Sequence, residues 1–367
     1  NDLPWNLRKF MHNKLHAFNF TTELSHRRPW SNSPWSHTDL PRLRRGHVGA
    51  QFWSAYVPCG AKNLNAVQLV IEQIDLIKRL IDQYPDDLSL ATSANELEEI
   101  FKVGKIASLI GVEGGHSIQN SLGVLRSLKD MGVTYLTLTH TCSTQWAECA
   151  RNQETDADDP NAPRGLTRFG KTVVREMNRL GLVVDLSHVS QATMRAAIDV
   201  SRAPIIFSHS SVYELCNNPR NVPDDILKKV AINGGVVMIS IYNYFLTCSE
   251  DATMQDVIRH INHVRKEAGV DHVGIGAGFD GVDKLPIGLE DVSKYPYLFA
   301  ELLKDPSWSE EDLKKLAGQN ILRVLRDVEK VRSEMRLQNV KPYELEVINP
   351  KPESLNCSYQ FNKNKNN

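Results

Sequence analysis

Four short apolar runs along the chain each end in a glutamate or a histidine. Ala107-Ser108-Leu109-Ile110-Gly111-Val112 leads into Glu113, and Tyr135-Leu136-Thr137-Leu138-Thr139 leads into His140. Leu182-Val183-Val184-Asp185-Leu186-Ser187 leads into His188, and Pro204-Ile205-Ile206-Phe207-Ser208 into His209. Brief runs rich in β-branched residues suit strands buried on both faces. The stretch from Gln191 to Val200 reads as a helix between the last two runs, which makes a βαβ unit.

The same alternation continues on both sides. Residues 1 to 45 read as the end of a first strand, a helix and a long surface loop, and Val48 to Tyr56 as a strand. Val67, Val70, Ile71, Ile74, Ile77 and Ile81 recur at helical spacing until Tyr84-Pro85 stops them. Ser93 with Glu96 reads as a capping box opening a second helix, and Gly104 as its stop. Further helices are predicted from about Ser121 to Met131, from Phe169 to Leu180, possible from Val212, and from Asp224 to Val230 and Ala252 to Ala268. Strands are predicted at 235–240 and 272–276. Ser309 with Asp312 caps a long final helix. Residues 143 to 168, polar and acidic, read as a surface loop over one end. Eight strand-like segments alternating with helices predict an α/β fold, a (β/α)8 TIM-type barrel in a single domain over 1–335. Residues 336–367 form an extended or disordered tail.

Composition narrows the class without changing this picture. The 367 residues are 41% hydrophobic and 24% charged, with a net charge of −1, ordinary for a globular enzyme and no basis for binding nucleic acid or anionic lipid. No apolar run is long enough to span a bilayer. The chain does not begin with Met, which reads as processing, truncation or a fragment. Six scattered cysteines contain no CxxC, so a zinc ribbon lacks support. The sequons at Asn19 and Asn356 lean with the cysteines towards an oxidising, extracellular setting.

In a parallel barrel the strand C-termini share one mouth. Glu113, His140, His188 and His209 would meet there, and all are residue types that bind zinc or move protons. A carboxylate can bridge two cations, which suits Glu113. The blander readings are packed or capping histidines and a buried ion pair.

These same stretches resemble the membrane (renal-type) dipeptidase family. The similarity rests on Gly111-Val112-Glu113-Gly114-Gly115-His116-Ser117, Tyr135 to His140, Val184 to His188 and Ile206 to Ser210. It extends from Asn1-Asp2-Leu3-Pro4 to Gly288-Leu289-Glu290-Asp291-Val292. The resemblance implies a zinc-dependent metallopeptidase of the amidohydrolase-like class that hydrolyses dipeptides with two zinc ions roughly 3.5–4 Å apart. It implies Glu113 as the bridging carboxylate, His188 and His209 as ligands of one zinc, and Asp2 as a ligand of the other. It implies that His140 polarises the scissile carbonyl and that Arg220 clamps the substrate α-carboxylate. It further implies the disulfides Cys59–Cys142 and Cys216–Cys248, with Cys149 a thiol and Cys357 bonded to its mate in a homodimer. A glycoprotein held at the outer cell surface by a GPI anchor is the implied setting, although no C-terminal apolar tail is present to signal one.

Two departures stand out. The His expected before Asn1 is absent. Gly278, in Gly276-Ala277-Gly278-Phe279-Asp280-Gly281, stands where the family carries an acid. Because Gly278 replaces that acid, a catalytically impaired paralogue acting as a cell-surface binding protein is the alternative function. A barrel deaminase or lactonase would share the metal ligands but not the Arg220 stretch.

Overall fold

The computed structural model describes residues 1–150 and 164–344. Its strands are β1 (Ala50–Tyr56), β2 (Leu88–Leu90), β3 (Ile106–Glu113), β4 (Val133–Thr137), β5 (Val183–Asp185), β6 (Ile205–Ser210), β7 (Val236–Ile239) and β8 (Val273–Ile275). Seven run in one parallel path, β1-β3-β4-β5-β6-β7-β8. Every residue of β3, β4, β5 and β7 is buried, as helices on the outside of a curled sheet require. This is the predicted α/β barrel architecture, with seven strands in its path; the strand end expected within residues 1–45 is not found, since Asn1 and Asp2 lead straight into the helix Leu3–Met11. The seam between β1 and β8 is spanned by the start of the chain: the Asn1 amino group donates to Phe52 O and Asn1 O accepts from Ser54 N (both 2.9 Å), while Asp2 N donates to Phe279 O at 3.0 Å. Asp2 is thereby laced into the barrel beside β1.

Most helices form where periodicity places them. Ala66–Gln83, Leu122–Asp130, Arg168–Leu180 and Gln191–Val200 match to within one or two residues at each end. Ser93 caps the helix Ala94–Lys102, but Glu96 reaches past it to the Thr92 N–H and hydroxyl.

Four further expectations are corrected. β2 is a strand that the sequence reading missed, and it pairs with the first half of β3. No helix starts at Val212, because that residue bridges to Val222 and its N–H is taken by His260. The final helix is interrupted: Glu310–Lys314 passes through a wider turn at Lys315–Gln319 before Asn320–Leu337. There the Asn320 amide donates to Val270 O and Val273 O, which pins the interruption under β8. Finally, the segment after His140 is not all surface, since Trp146 and Cys149 are buried and Cys149 bridges to Val189. Residues 151–163 of that expected loop lie outside the described residues, as do Asn356, Cys357 and the tail from 345.

Both expected intrachain disulfides, Cys59–Cys142 and Cys216–Cys248, are present. Closing the second, across 32 residues, restricts the unfolded chain by roughly 3–4 kcal/mol in the chain-entropy view. Far from the mouth, Glu176 is fully buried and bonded by Arg126 and Arg179. Arg126 also donates to Tyr343 O, and Tyr343 N donates to Glu176, so the chain end is fastened to the helix Arg168–Leu180.

His260 carries a measurable consequence. It is buried, its Nε2–H donates to Leu246 O at 2.8 Å, and its Nδ1 accepts from Val212 N at 3.0 Å. Accepting at Nδ1 while donating from Nε2 requires the neutral ring. Burial pushes its pKa from 6.5 down to about 4, so the unfolded chain binds a proton that the folded chain refuses. The contribution is complete above pH 6.5 and is lost as pH falls towards 4, roughly 3 kcal/mol in all. Urea titrations at pH 7 and pH 4.5 should therefore show a shallower acid loss in His260→Gln than in the parent. An equal loss in both proteins would rule the group out.

Candidate active site at the strand C-termini

Glu113 is the last residue of β3, and its carboxylate faces two ways. Oε2 accepts from the Ser54 hydroxyl at 2.9 Å. Oε1 lies 2.9 Å from His188 Nε2, 3.3 Å from His209 Nε2 and 4.0 Å from His140 Nε2. Gly114 makes room beside it: with φ +107, an added Cβ would sit 2.3 Å from the His116 ring, which only glycine avoids.

The strand ends place the histidines. His188 follows β5 with φ 69, a left-handed conformation uncommon for a histidine. His209 lies where the β6–β7 register shifts between Phe207 and Ser210. The His140 ring stacks on His188 with centroids 4.3 Å apart and on Tyr56 at 4.8 Å. The four residues predicted from the sequence thus converge at one mouth.

Beneath them is a layer that the sequence reading did not single out. Asp185 is fully buried and accepts from Ser187 N, Ser208 N, the Thr137 hydroxyl and the Ser208 hydroxyl. Ser208 Oγ lies 2.6 Å from that carboxylate and 2.8 Å from His209 Nδ1. The hydroxyl has one proton and the carboxylate only accepts, so Ser208 donates to Asp185 and accepts from His209 Nδ1–H. The His209 Nε2 lone pair is then turned towards Glu113. The signal was available: Asp185 is an acid inside an apolar strand run.

The protonation states suit cation binding. Burial would raise Glu113, yet contacts with His188 and His209 outweigh it and hold the carboxyl well below the usual range. Burial, then the Arg220 charge, pushes His188 well below its ordinary value, and burial brings His140 down to about 4. An ionised carboxylate therefore faces the neutral rings of His188 and His140. His188 Nε2 and His209 Nε2 are 2.9 Å apart, and donor atoms of tetrahedral zinc at about 2.0–2.1 Å are separated by about 3.3 Å. The donor set fits one such ion. Asp2 stands on the other side of Glu113: burial and then the Glu113 charge push it up to about 8, with Asp280 adding to the rise. A cation between Asp2 and Glu113 would offset that crowding.

Arg220 is buried and packs over the Phe245 ring at 4.9 Å. Its Nη2 makes only a long bond to His209 O at 3.5 Å, and Nη1 has no hydrogen-bond partner among the described residues. Asp280 points elsewhere. Thr38 Oγ1, His37 N and Asn1 Nδ2 all donate to its carboxylate. Gly278 has φ +74, and an added Cβ there would meet nothing closer than Val282 Cγ1 at 3.8 Å. Asn19 is exposed, and no helix among the described residues is long and apolar enough to cross a membrane.

The chain is similar to known proteins over most of its length. The chain is 47% identical over 332 residues to a mouse protein named dipeptidase 3, covering 90% of this chain and 64% of that protein. The solved structure of dipeptidase AC, a metallopeptidase, superposes with a TM-score of 0.78 at 23% identity, covering 89% of this chain and 96% of that one. A metallopeptidase from Rhodobacter sphaeroides, solved with a phosphinate mimic of the dipeptide L-Ala-D-Ala, gives a TM-score of 0.76 at 23% identity over 89% and 97%. Both structures share the fold. Residues 1–339 match the model of the membrane dipeptidase family, peptidase family M19, and the chain belongs to that family.

Proposed function

We propose that the protein hydrolyses dipeptides with bound zinc. One observation carries the reading: a donor triangle of Glu113, His188 and His209 shares its mouth with a buried guanidinium nitrogen, Arg220 Nη1, that no group among the described residues satisfies. A buried cationic donor of this kind selects a carboxylate. A dipeptide supplies that carboxylate one residue from its amide bond.

Glu113, His188 and His209 would hold one zinc ion, and Asp2 with Glu113 a second. Bound zinc supplies an activated water and polarises a carbonyl. Arg220 fixes the α-carboxylate and so sets which amide lies over Glu113 Oε1. His140, neutral and 4.0 Å from that oxygen, is placed to donate from Nε2 to the oxygen of the tetrahedral intermediate. Asp185 and Ser208 keep the His209 ring in the tautomer that presents Nε2. Release of free amino acids by the zinc-supplemented protein, compared with Glu113→Gln, tests the activity; equal release overturns it. Arg220→Met should raise KM for a dipeptide by roughly 10–100-fold with zinc content unchanged. An unaltered KM removes Arg220 from the site.

The impaired-paralogue reading is favoured by one feature: Asp280, the nearest acid to Gly278, is tied to Thr38, His37 and Asn1. On that reading dipeptides bind without turnover.

We also read the protein as a cell-surface or secreted glycoprotein, lipid-anchored and dimeric through Cys357. The family name, two disulfides and the exposed Asn19 support this setting. A non-reducing gel should show a dimer that Cys357→Ser abolishes; monomer alone in the parent ends the proposal.

A further inference from the structure

The Cys59–Cys142 disulfide stands against a histidine that the proposed chemistry does not use. His116 is 4% exposed, and its Nε2 lies 2.8 Å from Val57 O. A carbonyl only accepts, so Nε2 carries the proton and Nδ1 carries a lone pair. That Nδ1 is buried and has no hydrogen-bond partner among the described residues. One ligand atom each from Cys59, His116 and Cys142 lies within 4.8 Å of the others. Buried polar atoms are nearly always partnered, so an unpartnered imidazole nitrogen on a ring beside two sulfurs calls for an explanation.

We propose that the disulfide closes a latent Cys2His metal site, and that after reduction Cys59, Cys142 and His116 bind one soft divalent cation such as zinc. Reduction consumes two molecules of a thiol reductant: the S–S bond takes two electrons and two protons, and the reductant leaves as its own disulfide. Binding the ion then releases both thiol protons, since thiolates are the ligands. The imidazole already has the tautomer needed. The sulfurs need only part from bonding distance to about 3.7 Å, the separation set by zinc–sulfur bonds of about 2.3 Å. Both cysteines are half-buried, so a small reductant can reach them. A water would complete the coordination.

This site is separate from the Glu113 cluster. His140 stands between the two, with Nε2 4.0 Å from Glu113 Oε1 and Nδ1 3.9 Å from Cys59 Sγ. Bound metal there therefore requires neither Glu113 nor His188.

The test is cobalt titration of the full chain, before and after reduction by a phosphine that is then removed. The reduced protein should take up one more equivalent of Co2+ than the oxidised protein, with a sulfur-to-cobalt absorption band. Cys59→Ser/Cys142→Ser, which keeps Cys149, Cys216, Cys248 and Cys357, should lack both. His116→Gln leaves the disulfide in place, so it stays testable if the double variant does not fold. It should bind the extra cobalt at least about tenfold more weakly after reduction. A reduced parent with its thiols counted and no band overturns the proposal. So does a band that survives in the double serine variant, or unchanged cobalt affinity in His116→Gln.

Discussion

His188→Ala and His209→Ala should each leave a protein that loses zinc on dialysis and hydrolyses dipeptide at least about 100-fold more slowly. Three protein ligands are the usual minimum for a catalytic zinc ion, and His188, His209 and Glu113 supply three from the ends of β5, β6 and β3. Either alanine leaves two. The upper end of what indirect partners of a metal ligand cost is about 100-fold, and losing a ligand should cost more. Ser208→Ala provides a graded companion. It frees the His209 ring without removing it and should weaken zinc affinity by roughly 10–100-fold. Packed core histidines would behave otherwise, with stability falling in both alanine variants and metal content unmoved. Zinc-to-protein ratios by atomic emission, read beside unfolding curves, separate the two cases. Unchanged ratios in both variants would sink the assignment.

Gly278→Asp should raise kcat by at least about tenfold. General acids and bases typically contribute roughly 10²–10⁴-fold, and a leaving amine needs a proton that neither Glu113 nor the neutral histidines readily supply. Steric room exists, since the nearest atom to an added Cβ is Val282 Cγ1 at 3.8 Å. The backbone is less accommodating. A φ of +74 costs an ordinary L-residue about 1–2 kcal/mol, although aspartate tolerates the left-handed region better than most. The variant should therefore be slightly less stable and faster. Asp280 is a poor substitute, because its carboxylate holds three donors from Thr38, His37 and Asn1. Steady-state hydrolysis of one dipeptide by the parent, Gly278→Asp and Asp280→Ala decides the matter. Full turnover in the parent, indifferent to Gly278→Asp but abolished by Asp280→Ala, would give the role to Asp280.

The sequence made the barrel legible because β3 to β6 are apolar runs of strand length, each leading into a glutamate or a histidine. The same logic led to Glu113, His140, His188 and His209. Arg220 and Asp2 were reachable only through the family resemblance, since a loop arginine and a near-terminal aspartate carry no periodic signal. Asp185 and Ser208 stayed hidden because an Asp two residues before a Ser-His pair looks like part of a turn. Its role appears only when β5 and β6 lie side by side. The break before Asn320 was likewise unreadable. The apolar spacing from Leu313 to Leu325 continues across it, while the amide bonds to Val270 O and Val273 O are made some 50 residues away.

The fastening of Tyr343 to Glu176 and Arg126 sets the direction in which the molecule bears mechanical load. The helix Arg168–Leu180 starts near the mouth and returns to the beginning of β5, so Glu176 sits one turn from the floor of the barrel. Tyr343 is therefore held at the floor of the barrel, and a pull applied there meets a buried carboxylate gripped by two arginines, at the other end of the strands from Glu113, His188 and His209.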